Sequence, residues 1–169
     1  GTLLGVYQKV HPFSFGREVE YFGGGETVLV TEYAGARIAP FICYDLRVPE
    51  LYRIAARAAA EVITLGASWP DARQSHWRAL HIARAIENQA YVVACNRIGR
   101  DPHLSYAGGS MIVAPNGDLL ADAGTEPAVI QAELDLDELR SWRKTFPALA
   151  DMRDDLLGTM PVQAGPTDA

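Results

Sequence analysis

The stretch Ile38-Ala-Pro-Phe-Ile-Cys43-Tyr-Asp-Leu-Arg47-Val-Pro49-Glu50-Leu51 decides how this chain folds. It opens as an apolar run that predicts a buried strand. It closes as a helix start, with Pro49 pre-set for the first turn and Glu50 suited to the positive end of the helix dipole. Cys43 falls at the joint. A thiol there is held by the strand and faces N–H groups at the head of the following segment, two features that favour thiolate, the nucleophilic form. The competing reading is inert packing, because free cysteine is among the most buried residue types.

Outward from this joint the chain alternates strands and helices. Upstream, residues 27–31 predict a strand, and a turn at Ala34-Gly35 makes a hairpin with the central one. Residues 3–7 read as a first strand that delivers Lys9 at its end. Residues 14–26 form a polar, glycine-rich loop carrying Arg17, Glu18 and Glu20, with Gly23-Gly24-Gly25 as a flexible turn. Downstream, Leu51, Ile54, Ala55 and Ala58 make one apolar helical stripe. Residues 61–65 return as a strand ending at Gly66-Ala67-Ser68-Trp69-Pro70. A second helix starts near Ser75, with Ala79, Ile82, Ala83, Ile86 and Ala90 on its inner face and Arg78, Arg84 and Glu87 off it. Residues 91–95 predict a strand and 99–102 a loop. Residues 109–114 and 118–123 form an antiparallel pair turned by Pro115-Asn116-Gly117. A last strand over 128–134 precedes a helix from Asp135 to about Lys144. This order is layered α/β, with hairpins among the crossovers.

Composition narrows the partners. The 169 residues are 49% hydrophobic, enough to bury a core. A net charge of −6 and a pI near 5.1 argue against nucleic acid. No apolar run approaches a membrane span. The two cysteines, Cys43 and Cys95, sit in apolar runs rather than a disulfide framework. With no signal-peptide pattern, a reducing, cytoplasmic setting is expected. No phosphate loop or dinucleotide fingerprint occurs, and no cofactor is expected.

A thiol nucleophile needs a proton acceptor and an oxyanion stabiliser. The four histidines, His11, His76, His81 and His103, fit no local Cys-His signature, and their spacings match no metal site. Lys9, at a strand end, can donate to an oxyanion as a fixed charge, and a carboxylate from the Glu18 loop can relay a proton. Either is equally readable as a solvated surface charge.

Several of these motifs together resemble the nitrilase superfamily of carbon–nitrogen hydrolases. They are Tyr7-Gln8-Lys9-Val10-His11, the loop ending Gly24-Gly25-Glu26, and Ile42-Cys43-Tyr44-Asp45-Leu46-Arg47-Val48-Pro49-Glu50. Ala67-Ser68-Trp69-Pro70 with His76-Trp77, Ala83-Arg84-Ala85-Ile86-Glu87-Asn88-Gln89 and Asn96-Arg97-Ile98-Gly99 continue the pattern. The resemblance implies an α/β fold, the αββα four-layer sandwich of the nitrilase type, and a Glu-Lys-Cys catalytic set. Within it Cys43 matches the nucleophile, Lys9 the lysine, and Glu18 the supporting glutamate of the intervening loop, with Glu20 the fallback. The backbone N–H of Tyr44 would join Lys9 in the oxyanion hole, and Trp69 would flank the substrate pocket.

The family's general-base glutamate lies upstream of the lysine, but none of the eight residues before Lys9 is acidic. The expectation is therefore that residues 1–154 are the C-terminal portion of such a domain, with a tail over 155–169. Alone, that portion is expected to expose sheet faces and to show little activity. The complete protein would cleave a small amide through a Cys43 thioester, releasing ammonia and a carboxylic acid. The motifs look most like the ω-amidase and aliphatic amidase branch, with Arg47 or Arg17 available for a substrate carboxylate. Arg47 bracing the turn after Cys43 is the plainer reading. Nitrile or N-carbamoyl hydrolysis, or a silent scaffold, are the alternatives. The resemblance also implies a homodimer or higher homo-oligomer.

Overall fold

The strand that begins the decisive stretch sits inside the sheet. It runs as β2, Ala36–Ile42, with β1, Thr31–Tyr33, antiparallel on one side and β3, Val62–Ala67, parallel on the other. The structure is a computed structural model that describes residues 2–153 and residue 155. Apart from residue 155, the expected tail lies outside the described residues. β4, Tyr91–Asn96, continues the sheet in parallel with β3. β5, Ile98–Arg100, and β6, Ser105–Ala107, form a separate hairpin. β7, Met111–Val113, and β8, Leu119–Asp122, complete a six-stranded order β1-β2-β3-β4-β7-β8.

Parallel neighbours require crossovers, and two helices supply them. α1, Pro49–Arg57, links β2 to β3, and α2, Gln74–Asn88, links β3 to β4. Both cover the sheet face carrying Ala39, Phe41, Ile63, Leu65, Val92, Ala94, Met111 and Val113, all buried in one cluster. On the other face Val62 and Tyr91 pack with Leu139 of α3, Leu136–Thr145, whose start is capped by Asp135 accepting from Glu138 N at 2.8 Å. Farther along that face Gly66 and its register partner Cys95 are exposed. Among the described residues no helix is long and apolar enough to cross a membrane.

Several local expectations are corrected. Residues 3–7 are not a strand: no other strand pairs with them, and Leu3, Leu4 and Val6 are exposed. The strand expected over 27–31 forms only from Thr31, while Val28 and Val30 pack against the core outside any ladder. Residues 128–134 likewise form no ladder, and Val129 is 95% exposed. The loop placed at 99–102 begins instead as part of β5. The inner faces of both helices are also rotated from the hydropathy reading. α1 buries Leu51, Tyr52, Ala55 and Ala56, while Ile54 is exposed. α2 buries Trp77, His81, Arg84, Ala85 and Asn88, and exposes Ala79 and Ile86. Hydrogen bonds make that polar face possible: Arg84 donates to Leu46 O at 2.8 Å and to Glu87 Oε1 at 2.8 Å.

Candidate active site

β2 ends at Ile42, and the chain turns sharply at Cys43, whose φ is +46°. A non-glycine residue in the left-handed region costs about 1 kcal/mol or more. Here it is held by Asp45, a fully buried residue of the short 3₁₀ segment Cys43–Arg47. Asp45 Oδ2 accepts from Ile42 N at 3.2 Å and from the Tyr7 hydroxyl at 2.9 Å, while Oδ1 accepts from His11 N at 2.9 Å. Tyr7 and His11 bracket Lys9, so one carboxylate fixes the lysine segment and the cysteine turn together. Burial, then the bond to Asp45, keeps the Tyr7 phenol protonated far above its ordinary range.

Lys9 Nζ donates to Glu18 Oε2 at 2.5 Å, and the same oxygen accepts from Phe13 N at 2.9 Å. Burial of Glu18 opposes ionisation, but the Lys9 ammonium and the Phe13 amide outweigh it and hold the carboxyl below its usual value. Glu20 points elsewhere and closes a two-bond pair with Arg17. The glycine turn is packed rather than flexible. A Cβ at Gly24 or Gly25 would strike the carbonyls of Val10 or Gln8, and Gly25 N donates to Lys9 O at 2.8 Å.

All six residues singled out in the sequence, Lys9, Glu18, Cys43, Tyr44, Arg47 and Trp69, line one open cleft of about 1080 Å³. Trp69 forms a wall. Its N–H donates to Asn96 Oδ1 at 2.7 Å, its indole donates to Arg73 O at 2.8 Å, and the Arg47 guanidinium lies 4.8 Å over its ring. Arg47 also donates to His76 Nδ1 at 3.3 Å.

The thiol does not behave as its position at the strand end predicts. Burial is the largest influence on Cys43 and moves its pKa up; the Lys9 charge and the Ser68 N–H pull it back only in part. The helix proper starts six residues later, at Pro49, so Cys43 lacks the direct helix-head stabilisation that was expected. The sulfur rests as a thiol until something removes its proton. Glu18 is the single carboxylate among the described residues lining the cleft, and it is committed to Lys9.

Sequence reasoning overlooked three contributors. Asp45 was quoted only as part of a motif, although a carboxylate beside an apolar strand end needs hydrogen-bond donors. Ser68 acts through its backbone and left no side-chain signal. Arg73 was not singled out, yet it lines the cleft.

The carbon–nitrogen hydrolase family model matches residues 1–144. The chain belongs to that family. Among relatives of this carbon–nitrogen hydrolase chain, the 2-oxoglutaramate amidase of Bacillus subtilis (strain 168) is 40% identical over 156 residues, covering 92% of this chain and 60% of its own length. Omega-amidase YafV of Escherichia coli (strain K12) is 40% identical over 153 residues, covering 89% of this chain and 59% of its own. A solved structure, the CN-hydrolase superfamily protein XC1258 of Xanthomonas campestris with an arsenic adduct in its active site, superposes with a TM-score of 0.82. It is 35% identical, over 86% of this chain and 58% of that one. The chain thus has the nitrilase-superfamily α/β fold and spans about 60% of the length of these relatives.

Proposed function

We propose that the complete protein hydrolyses the terminal amide of a small dicarboxylic acid monoamide through a thioester on Cys43. The observation that carries this reading is the convergence of Cys43 and the Lys9–Glu18 pair on one cleft, in a chain whose relatives include amidases of that kind. Cys43 Sγ, once deprotonated, attacks the amide carbon. The Lys9 ammonium and the Tyr44 backbone N–H stabilise the oxyanion. Collapse expels ammonia and leaves an acyl-thioester, which water converts to the acid and the free thiol.

Glu18 in this scheme supports Lys9 rather than serving as general base. Its side-chain partner is the Lys9 ammonium, which with the Phe13 amide holds it ionised. The resemblance assigns the base to a glutamate upstream of Lys9, and the burial of the thiol makes such a base necessary. The homodimer that the resemblance implies would use the outer faces of the adjacent helices α1 and α2, where Ile54 and Ile86 are each 48% exposed.

The test is turnover of a dicarboxylate monoamide by the complete protein with Cys43→Ala. Loss of ammonia release is expected; retained turnover would overturn the scheme.

A further inference from the structure

The cleft holds more positive charge than amide hydrolysis uses. Among the described residues lining it, Lys9, Arg47 and Arg73 stand against the single carboxylate of Glu18, although the whole chain carries a net charge of −6. Glu18 is already spent on Lys9. The guanidinium groups then separate by what they touch. Arg17 is closed with Glu20 and is not part of the cleft lining. Arg47 is laid over Trp69 and bonded to His76.

Arg73 is different. Its backbone is fixed at both ends, with its N–H donating to Pro70 O at 3.0 Å and its carbonyl accepting the Trp69 indole at 2.8 Å. Its side chain has no carboxylate partner among the described residues. Instead the guanidinium lies over the Phe15 ring, 5.6 Å from its centroid. A contact with a ring alone leaves the N–H donors of a guanidinium uncommitted. A guanidinium with uncommitted donors at the wall of a net-positive cleft suits a carboxylate, which it can bind through two parallel bonds.

We propose that Arg73 is the specificity-determining residue that holds the carboxylate at the far end of the substrate. The ligand class is a short aliphatic dicarboxylate monoamide, in contrast to a neutral amide of equal length. This rests on the amide-hydrolase reading above and adds to it the residue that selects the anionic tail.

The test is protection of Cys43 in the complete protein against iodoacetamide, read by peptide mass so that Cys95 is scored separately. The probes are glutaric acid monoamide and valeramide, its neutral match in chain length, each in large excess over protein. In the wild type the monoamide should protect at roughly tenfold lower concentration than valeramide, the effect of a charge-assisted pair. Arg73→Gln should abolish that difference, and Arg73→Lys should restore part of it. A difference that survives Arg73→Gln, or disappears only in Arg47→Gln, overturns the assignment. Equal protection by both probes in the wild type overturns this inference but leaves the amide reading intact. Protection by neither overturns both.

Discussion

Tyr7 donates its hydroxyl to Asp45 Oδ2 at 2.9 Å across 38 residues of chain. With His11 N on the other oxygen, the bond joins the lysine segment to the cysteine turn although no strand ladder connects them. Removing the carboxylate leaves the amides of Ile42 and His11 without their acceptor. Asp45→Ala should therefore lower stability by about 2–4 kcal/mol, and Tyr7→Phe by about 1 kcal/mol. Urea unfolding checks both, and an Asp45→Ala protein as stable as wild type would contradict this account of the turn.

The Cys43 thiol titrates above its ordinary range because it is buried, and Lys9 and Glu18 act on it with opposite signs. Iodoacetamide reaction at Cys43 should accordingly rise with pH beyond the value typical of a free thiol. Lys9→Gln removes a charge that favours thiolate and should move the profile higher. Glu18→Gln removes one that opposes it and should move the profile lower. Shifts in the same direction for the two variants would refute the electrostatic assignment.

His81 is fully buried edge-on to Trp77, 4.2 Å between ring centroids, with its pKa lowered to about 3, first by burial and then by the Arg84 charge. The unfolded chain binds a proton here near pH 6.5 and the folded one does not, so stability falls as pH drops below that value. Between about pH 6.5 and pH 5 the loss should be about 1.5 kcal/mol. The depressed carboxyls Glu18 and Glu61 lose their contributions only below about pH 4.5, so the windows separate. His81→Leu should flatten the upper window, as measured by urea unfolding at several pH values. An unchanged slope would show that His81 is not its source.

Asn96 bridges three backbone groups: it accepts from Trp69 N and donates to Trp69 O at 3.2 Å and Gly108 O at 2.7 Å. Asn96→Ala should cost about 2–3 kcal/mol and loosen the tryptophan wall. Tryptophan emission and its quenching by acrylamide report the second effect. Unchanged quenching would mean that the wall is held by other contacts.

The parts of this fold legible in sequence were those set by local chemistry. The apolar run into Cys43, Pro49 at a helix start, the Asn116-Gly117 turn and the helix start at Asp135 each act within a few residues. The helix faces were misread because hydropathy cannot register a buried Arg84 or Asn88 whose bonds are made elsewhere, whereas exposed Ile54 and Ile86 look like core. Residues 3–7 and 128–134 have strand composition, but a strand exists only when another chain segment supplies a ladder. In the cleft, Cys43 stood out at the strand–helix joint and Lys9 and Glu18 as candidate partners, and motif resemblance then gave each its role. Arg73 was not, because its meaning comes from which partners it lacks.

The torsion at position 43 also limits what this scaffold could become. Branching at Cβ is most costly where φ is positive. A threonine nucleophile is thereby barred from this corner, while serine would fit it with a weaker attacking atom. Backbone shape at one residue thus narrows the side chains this position accepts to unbranched ones, whatever the surrounding cleft would admit.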